Sequence, residues 1–240
     1  MIFDQAEFDV RCEWGENGVR SLAPVSDAIV IVDVMSFSTC VTVAVAAGAT
    51  VLPYRWKDGS ARDFAQSIGA ELAGSRGSGG YSLSPRSVLA IPSGTRLVLP
   101  SPNGSTLTLA TGDTPTYAGC LRNARAVARA AAQNGARISV VACGERWKED
   151  HSLRPAFEDL VGAGAIIGQL AGSRSPEARM AVAALEGAKP DLLDQLKQCS
   201  SGKELIGMGY EDDIRLGAEL DADDVAPVLV EGAYEAAGSV

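Results

Sequence analysis

One histidine, His151, is present in 240 residues, and it lies in a polar loop, where a solvated side chain is the ordinary reading. Serine–histidine and cysteine–histidine catalysis are therefore left without their usual base. Cysteine is sparse and irregular: Cys12, Cys40, Cys120, Cys143 and Cys199 are odd in number, far apart and free of any CxxC pair. That spacing excludes a zinc ribbon and a disulfide framework, and free thiols in a reducing cytoplasm are expected. No apolar run is long enough to span a bilayer. The stretch MIFDQAEFDVRCEWG carries Asp4, Glu7 and Asp9 where a secretory signal would be basic, so no signal peptide is expected. Positive charge is in deficit, 21 Lys and Arg against 30 Asp and Glu, for a net charge of −9. A nucleic-acid backbone or an anionic membrane is thereby excluded as the main partner. A small anionic substrate is not, because a bound metal ion inverts the local field. P-loop, GxGxxG and HExxH motifs are absent, as are internal repeats and low-complexity linkers.

What is present is an alternation of strands and helices. The chain is 46% apolar and 21% charged, the balance of a globular protein, and its length suits a single α/β domain over residues 1–240. AIVIVDV (28–34) is a β-branched run suited to a strand buried on both faces. A helix opened by Ser36 or Ser38 and stopped at Gly48 follows, then strand TVLPYRW and helix GSARDFAQSIGA. Residues 74–96 are rich in glycine and proline and read as a long loop. RLVLP is a strand, STLTLAT a short helix or strand, and TYAGC a strand. Residues 123–136 form an alanine-rich helix with Asn123 as a cap and Gly135 as the stop. RISVVACGE is a strand, and FEDLVGAGAIIGQLAG a helix whose glycines point to close packing. SPEARMAVAALEGA and PDLLDQLKQC are two further helices. The tail holds a helix, an acidic segment and a last strand. This order predicts a mostly parallel or mixed sheet covered on both faces.

Ligands of such sheets bind outside the carboxyl ends of the strands, so the polar strand tips are the candidates. Asp33 ends VIVD, where a carboxylate can hold Mg²⁺ or cap a helix. Ser36, Ser38 and Thr39 follow at a helix N-terminus that favours anions. Asn103-Gly104-Ser105-Thr106 combines a close-approach glycine with short donors, fit for an anion nest or for a plain Asn-Gly turn. Arg122 and Asn123 stand at a strand-to-helix junction, where arginine matches phosphate oxygens. Glu145 follows a strand. Glu158 and Asp159 open a helix, which their favourable interaction with the helix dipole alone explains, or serve a metal or acid–base role. Cys143 at a strand tip is a nucleophile or a buried structural thiol.

Taken in order, VIVDVMSFSTCVTVAVAAGA, LVLPSPNGSTLT, AGCLRNARAVA, VVACGE, FEDLVGAGAII and LIGMGYEDDIRLGAELD resemble the blocks of the 2-phosphosulfolactate phosphatases, over about residues 8 to 235. The resemblance implies a three-layer α/β/α fold and Mg²⁺-dependent cleavage of (R)-2-phospho-3-sulfolactate to 3-sulfolactate and phosphate, on the route to coenzyme M. It carries over Asp33, Asn103 and Glu145, here read as catalytic, with Glu145 the first candidate for activating water and Asp33 the alternative as nucleophile, through an aspartyl-phosphate. The metal falls to Asp33 with Glu158 or Asp159. Ser38, Thr39, Gly104, Ser105, Arg122, Asn123 and Arg76 form the substrate-binding set. Two positions depart from the pattern. Ser36 stands where the family usually has arginine after its DVL segment, and Ser75 where an acid usually precedes the arginine here numbered 76. These departures keep two alternatives in view: a catalytically idle anion-binding homologue, and a phosphatase for another 2-hydroxy-acid phosphate. Homo-oligomerisation is left open.

Overall fold

A computed structural model describes residues 2–56 and 58–238. In chain order the regular elements are β1 (Val10–Trp14), α1 (Gly15–Leu22), β2 (Ala28–Val32), α2 (Phe37–Ala46), β3 (Thr50–Tyr54), α3 (Gly59–Ser67), β4 (Glu71–Leu72), α4 (Pro85–Val88), β5 (Arg96–Pro100), α5 (Gly104–Thr108), β6 (Thr116–Gly119), α6 (Ala124–Ala131), β7 (Ile138–Ala142), β8 (Glu145–Arg146), β9 (Leu153–Arg154), α7 (Phe157–Gln169), α8 (Pro176–Ala188), α9 (Leu192–Gln198), α10 (Ser200–Gly207), α11 (Glu211–Gly217), β10 (Pro227–Val230) and β11 (Ala233–Ala236). Nine strands form one mixed sheet in the order β1-β7-β2-β6-β10-β11-β3-β5-β4, and β8 and β9 form a separate hairpin.

The β-branched runs become the centre of the sheet. β2 and β7 are buried along their whole length and pair in parallel from Ala28↔Ile138 to Val32↔Ala142. Alternate side chains of a strand face opposite sides of a sheet. Accordingly, Val30 and Val32 join a core with Val127, Val161 and Ile166 of α6 and α7. Ile29 and Ile31 join one with Val19 and Leu22 of α1 and Leu107 of α5. These faces make the outer helical layers of the α/β/α sandwich. The glycines of α7 do set a close packing: a Cβ on Gly164 would lie 2.1 Å from the Ala181 carbonyl oxygen of α8.

The antiparallel hairpin β10–β11 interrupts the parallel ladder. It pairs with β6 at Val228↔Tyr117 and with β3 at Tyr234↔Val51. As a result β3, β5 and β4 run opposite to β1, β7, β2 and β6 along the ladder. The loops that follow β5 and β2 nonetheless meet, joined by a hydrogen bond: Gly104 N–H donates to Asp33 Oδ2 at 3.0 Å.

Candidate active site

Asp33 follows β2 and is 6% exposed. Its Oδ1 accepts the N–H of Phe37, the first residue of α2, and its Oδ2 accepts that of Gly104, the first residue of α5. The carboxylate therefore occupies two helix N-termini at once. The Ser38 N–H is taken as well, by the Asp33 carbonyl. The anion expected at the start of α2, and in the Asn103-Gly104 nest, is thus supplied at Phe37 and Gly104 by the chain itself. Gly104 cannot be larger: a Cβ there would stand 2.2 Å from Phe37 Cδ1, and Phe37 is fully buried. Its N–H is also shared with Ser101 Oγ at 3.1 Å.

Asn103, one residue away, donates from Nδ2 to Glu145 Oε2 at 3.0 Å. Two hydrogen bonds, through adjacent residues of one loop, therefore connect Asp33 and Glu145. Asp159 closes the frame from the other side. Its Oδ1 accepts the Val34 N–H and its Oδ2 the Gly144 N–H, both at 2.8 Å, bracing the end of β2 against the end of β7. Glu158 is 2% exposed, and its hydrogen-bond partner is the Cys199 thiol, 3.4 Å from Oε2.

Four carboxylates are gathered here in low-dielectric surroundings, and their electrostatics show it. Burial pushes Asp33 up to about 6; the Phe37 and Gly104 N–H groups oppose the shift, Glu158 adds to it and Arg76 opposes it. Burial pushes Glu145 up to about 7, with Asp33 and Glu158 adding and the Asn103 hydrogen bond and Arg154 opposing. Asp159 is held well above the carboxylate range by burial first, then by Asp33 and Glu158. Such uncompensated, oxygen-only negative charge fits a hard divalent cation. Among the described residues no three Asp, Glu, Cys or His side chains form a ready ligand group. Mg²⁺ commonly takes only one or two carboxylates and completes its shell with water and substrate phosphate.

Two adjoining cavities border two of the four carboxylates, Glu158 and Glu145, and neither is lined by Asp33, Asp159 or Asn103. One, of about 450 Å³, is lined by Glu158, Cys199 and Arg154 among others. The second, of about 530 Å³, is lined by Glu145, Lys148 and Arg154.

A family model described as 2-phosphosulpholactate phosphatase matches residues 19–232. The chain belongs to the 2-phosphosulpholactate phosphatase family. Among curated relatives, a probable 2-phosphosulfolactate phosphatase of Gloeobacter violaceus is 37% identical over 95 residues, 37% of this chain and 39% of that protein. A 2-phosphosulfolactate phosphatase of Methanothermobacter thermautotrophicus is 30% identical over 139 residues, 58% of each. The chain thus aligns with less than two thirds of either relative.

Within this member of the 2-phosphosulpholactate phosphatase family, the expected site residues divide. Asp33, Asn103, Gly104 and Glu145 are joined by hydrogen bonds, and Glu158 and Asp159 act on the same charges. Five others have their side chains engaged within the protein, so we place them in the frame. Ser38 Oγ donates to the Ile31 carbonyl and accepts the Asp33 N–H. Thr39 Oγ1 donates to the Val34 carbonyl, and Ser105 Oγ to the Leu99 carbonyl. Asn123 is fully buried; it accepts the Cys120 N–H and donates to Thr42 Oγ1 and the Ala118 carbonyl. Arg122 clamps the C-terminal acidic segment, donating to Glu219, to Asp223 at 2.6 Å and to the Leu216 carbonyl. Arg76 reaches Ser36, donating from Nη2 to its Oγ at 3.0 Å, so a guanidinium stands beside the serine at which the resemblance led to an expected arginine. Ser101, Arg154 and Cys199 escaped the sequence reading. Ser101 sat within the quoted loop, but the other two lie in segments without a motif.

Proposed function

We propose that this chain hydrolyses a small anionic phosphate monoester, (R)-2-phospho-3-sulfolactate, to 3-sulfolactate and phosphate, with Mg²⁺. The observation that carries this reading is the joining of Asp33, Asn103 and Glu145 by two hydrogen bonds, with Glu145 and buried Glu158 each lining a cavity of substrate size. The membership and the relatives' names support the substrate class. Asp33 and Glu158 would hold the metal. Asp159, with both oxygens on backbone N–H groups, fixes the strand ends that present them. When bound, the ion supplies charge neutralisation of the phosphoryl oxygens and lets an anionic ester approach a negative site.

The chain's own residues do the rest. Glu145, whose acidity is tuned near neutrality, suits a general base, because catalytic efficiency peaks when that value lies close to working pH. Asn103 fixes the oxygen it hydrogen-bonds, aiming the other toward a water. The water gives its proton to Glu145 as its oxygen bonds to phosphorus. The ester P–O bond breaks, and its electron pair leaves on the substrate oxygen, which takes up a proton to become the hydroxyl of sulfolactate. Direct attack by Asp33 is the less favoured course, since its carboxylate, fixed by the Phe37 and Gly104 N–H groups with lone pairs left for an ion, is the group assigned to the metal. The free cysteines support a reducing, cytoplasmic setting, and no helix of the described residues is long and apolar enough to cross a membrane. Such a product suits a step toward coenzyme M.

The test is phosphate release from a panel holding 2-phospho-3-sulfolactate, 2-phospholactate and 2-phosphoglycolate, with Mg²⁺ or with chelator. Turnover with Mg²⁺ and preference for the sulfonated ester is expected. Binding without turnover would favour the idle homologue, and preference for another ester would reassign the substrate.

A further inference from the structure

The groups expected to receive substrate anions are largely committed: Asp33 takes the Phe37 and Gly104 N–H groups, and Arg122 is clamped to Glu219 and Asp223. Of the cations lining the cavities, Arg146, Lys148 and Arg154, only Arg154 borders both, and it keeps nearly all its donors. In the β8–β9 hairpin, Arg154 pairs directly opposite Glu145, and opposite residues of an antiparallel pair project from the same face. Arg154 lines both cavities, with Glu158 in one and Glu145 in the other. Its guanidinium lies 5.9 Å from the centre of the Trp147 ring, a cation–π contact that orients it. It donates to Ser201 Oγ at 3.4 Å and has no other hydrogen-bond or ion-pair partner among the described residues. Five N–H donors in a planar fork are thus left almost entirely unused at the border of a carboxylate-rich site.

Resting on the phosphatase reading above, we propose that Arg154 is the specificity residue that receives the substrate's sulfonate. The phosphoryl group and the neighbouring carboxylate of the ester are good ligands for a hard cation. A sulfonate is a weak base and a poor metal ligand, so beside Glu145 and Glu158 it needs a cation from the protein. The guanidinium fork meets two oxygens of such a group in parallel. Trp147 and Ser201 hold the fork in place, and the hairpin carries it next to the base.

The test uses Arg154→Gln and Arg154→Lys in the full chain, with two esters that differ by the sulfonate alone, 2-phospho-3-sulfolactate and 2-phospholactate. For the sulfonated ester, Arg154→Gln is expected to lower kcat/KM by about 10- to 150-fold, mainly through KM, the range of a charge-assisted hydrogen bond. The loss on 2-phospholactate is at least several-fold smaller, and Arg154→Lys regains part of the preference. Calorimetric titration with 3-sulfolactate provides a readout without turnover, with affinity falling by a similar factor in Arg154→Gln. Equal losses on both esters, unchanged 3-sulfolactate affinity in Arg154→Gln, or no binding of 3-sulfolactate by the wild type would each overturn the assignment. A wild type that turns over neither ester would sink the phosphatase reading, while the titration would still decide whether Arg154 holds a sulfonate.

Discussion

Replacing Glu145 by glutamine should stabilise the fold while disabling the site. The carboxyl is pushed from 4.5 to about 7, so the folded chain holds this proton more tightly than the unfolded chain does. Below pH 4.5 both states carry it and the residue is neutral in its effect. Between pH 4.5 and about 7 the unfolded chain releases its proton first, and stability falls as pH rises. Above pH 7 the full cost of keeping the carboxylate buried remains. At 1.36 kcal/mol per pKa unit this reaches about 3 kcal/mol. Glutamine removes that cost and still accepts from Asn103 through its amide oxygen. For a chain of this size each kcal/mol moves Tm by about 2–4 °C, so a gain of several degrees is expected at pH 8, shrinking toward pH 5. The assay is thermal and urea unfolding of both proteins in metal-free buffer from pH 5 to 8.5, with phosphate release measured in parallel. If Glu145 is the base proposed above, its loss should lower the rate about 10²- to 10⁴-fold. A variant no more stable than wild type at pH 8, or a gap that does not narrow toward pH 5, would refute the electrostatic reasoning.

Other changes probe the frame. Gly104→Ala places a methyl 2.2 Å from the Phe37 ring and should cost about 1–3 kcal/mol in urea unfolding, with activity reduced because the Asp33 bond must shift. Asp159→Ala leaves the Val34 and Gly144 N–H groups without their acceptor; at about 1–3 kcal/mol per buried unsatisfied group, a loss of about 2–5 kcal/mol is expected by the same method. Arg122→Gln should speed proteolysis within residues 216–226, whose Glu219 and Asp223 it clamps, and change stability more than KM. Chelation should abolish turnover and added Mg²⁺ restore it, as read by phosphate release.

Much of the frame was legible in the sequence because its determinants are local. AIVIV and ISVVA carry their own burial pattern, and the glycines of α7 announced a close helix contact. Asp33, Asn103, Gly104 and Glu145 stood out as polar tips after buried strands, but a helix cap or a plain turn explained Asp33, Asn103 and Gly104 as well, and only the ordered family blocks singled them out. β1 and α1 were not legible: VRCEWGENGVRSL alternates poorly, and its Arg11 is buried by donating to the Phe8 and Val25 carbonyls. The last strand read in the tail is a hairpin, and its reversal of half the sheet is a consequence of pairings with β6 and β3 that no local pattern encodes. The loop at 74–96 contains α4 and brings Arg76 to Ser36. STLTLAT resolves as a helix because Gly104 lets its first turn approach Phe37. Roles for Arg122 and Asn123 could not be read locally, since their partners are fixed by tertiary contacts: Glu219 and Asp223 lie about a hundred positions from Arg122, and Thr42 about eighty from Asn123. Arg154 had no signal of its own; only the pairing with Glu145 across the hairpin gives it meaning.

The most direct measurement compares phosphate release from (R)-2-phospho-3-sulfolactate by the wild type and by Asp33→Asn with Mg²⁺, both shown folded by circular dichroism. The account predicts steady turnover by the wild type and a rate lower by at least about 10²-fold in the variant, in keeping with losing a metal-holding carboxylate. Equal rates in the two proteins, or no phosphate from the wild type, would contradict it.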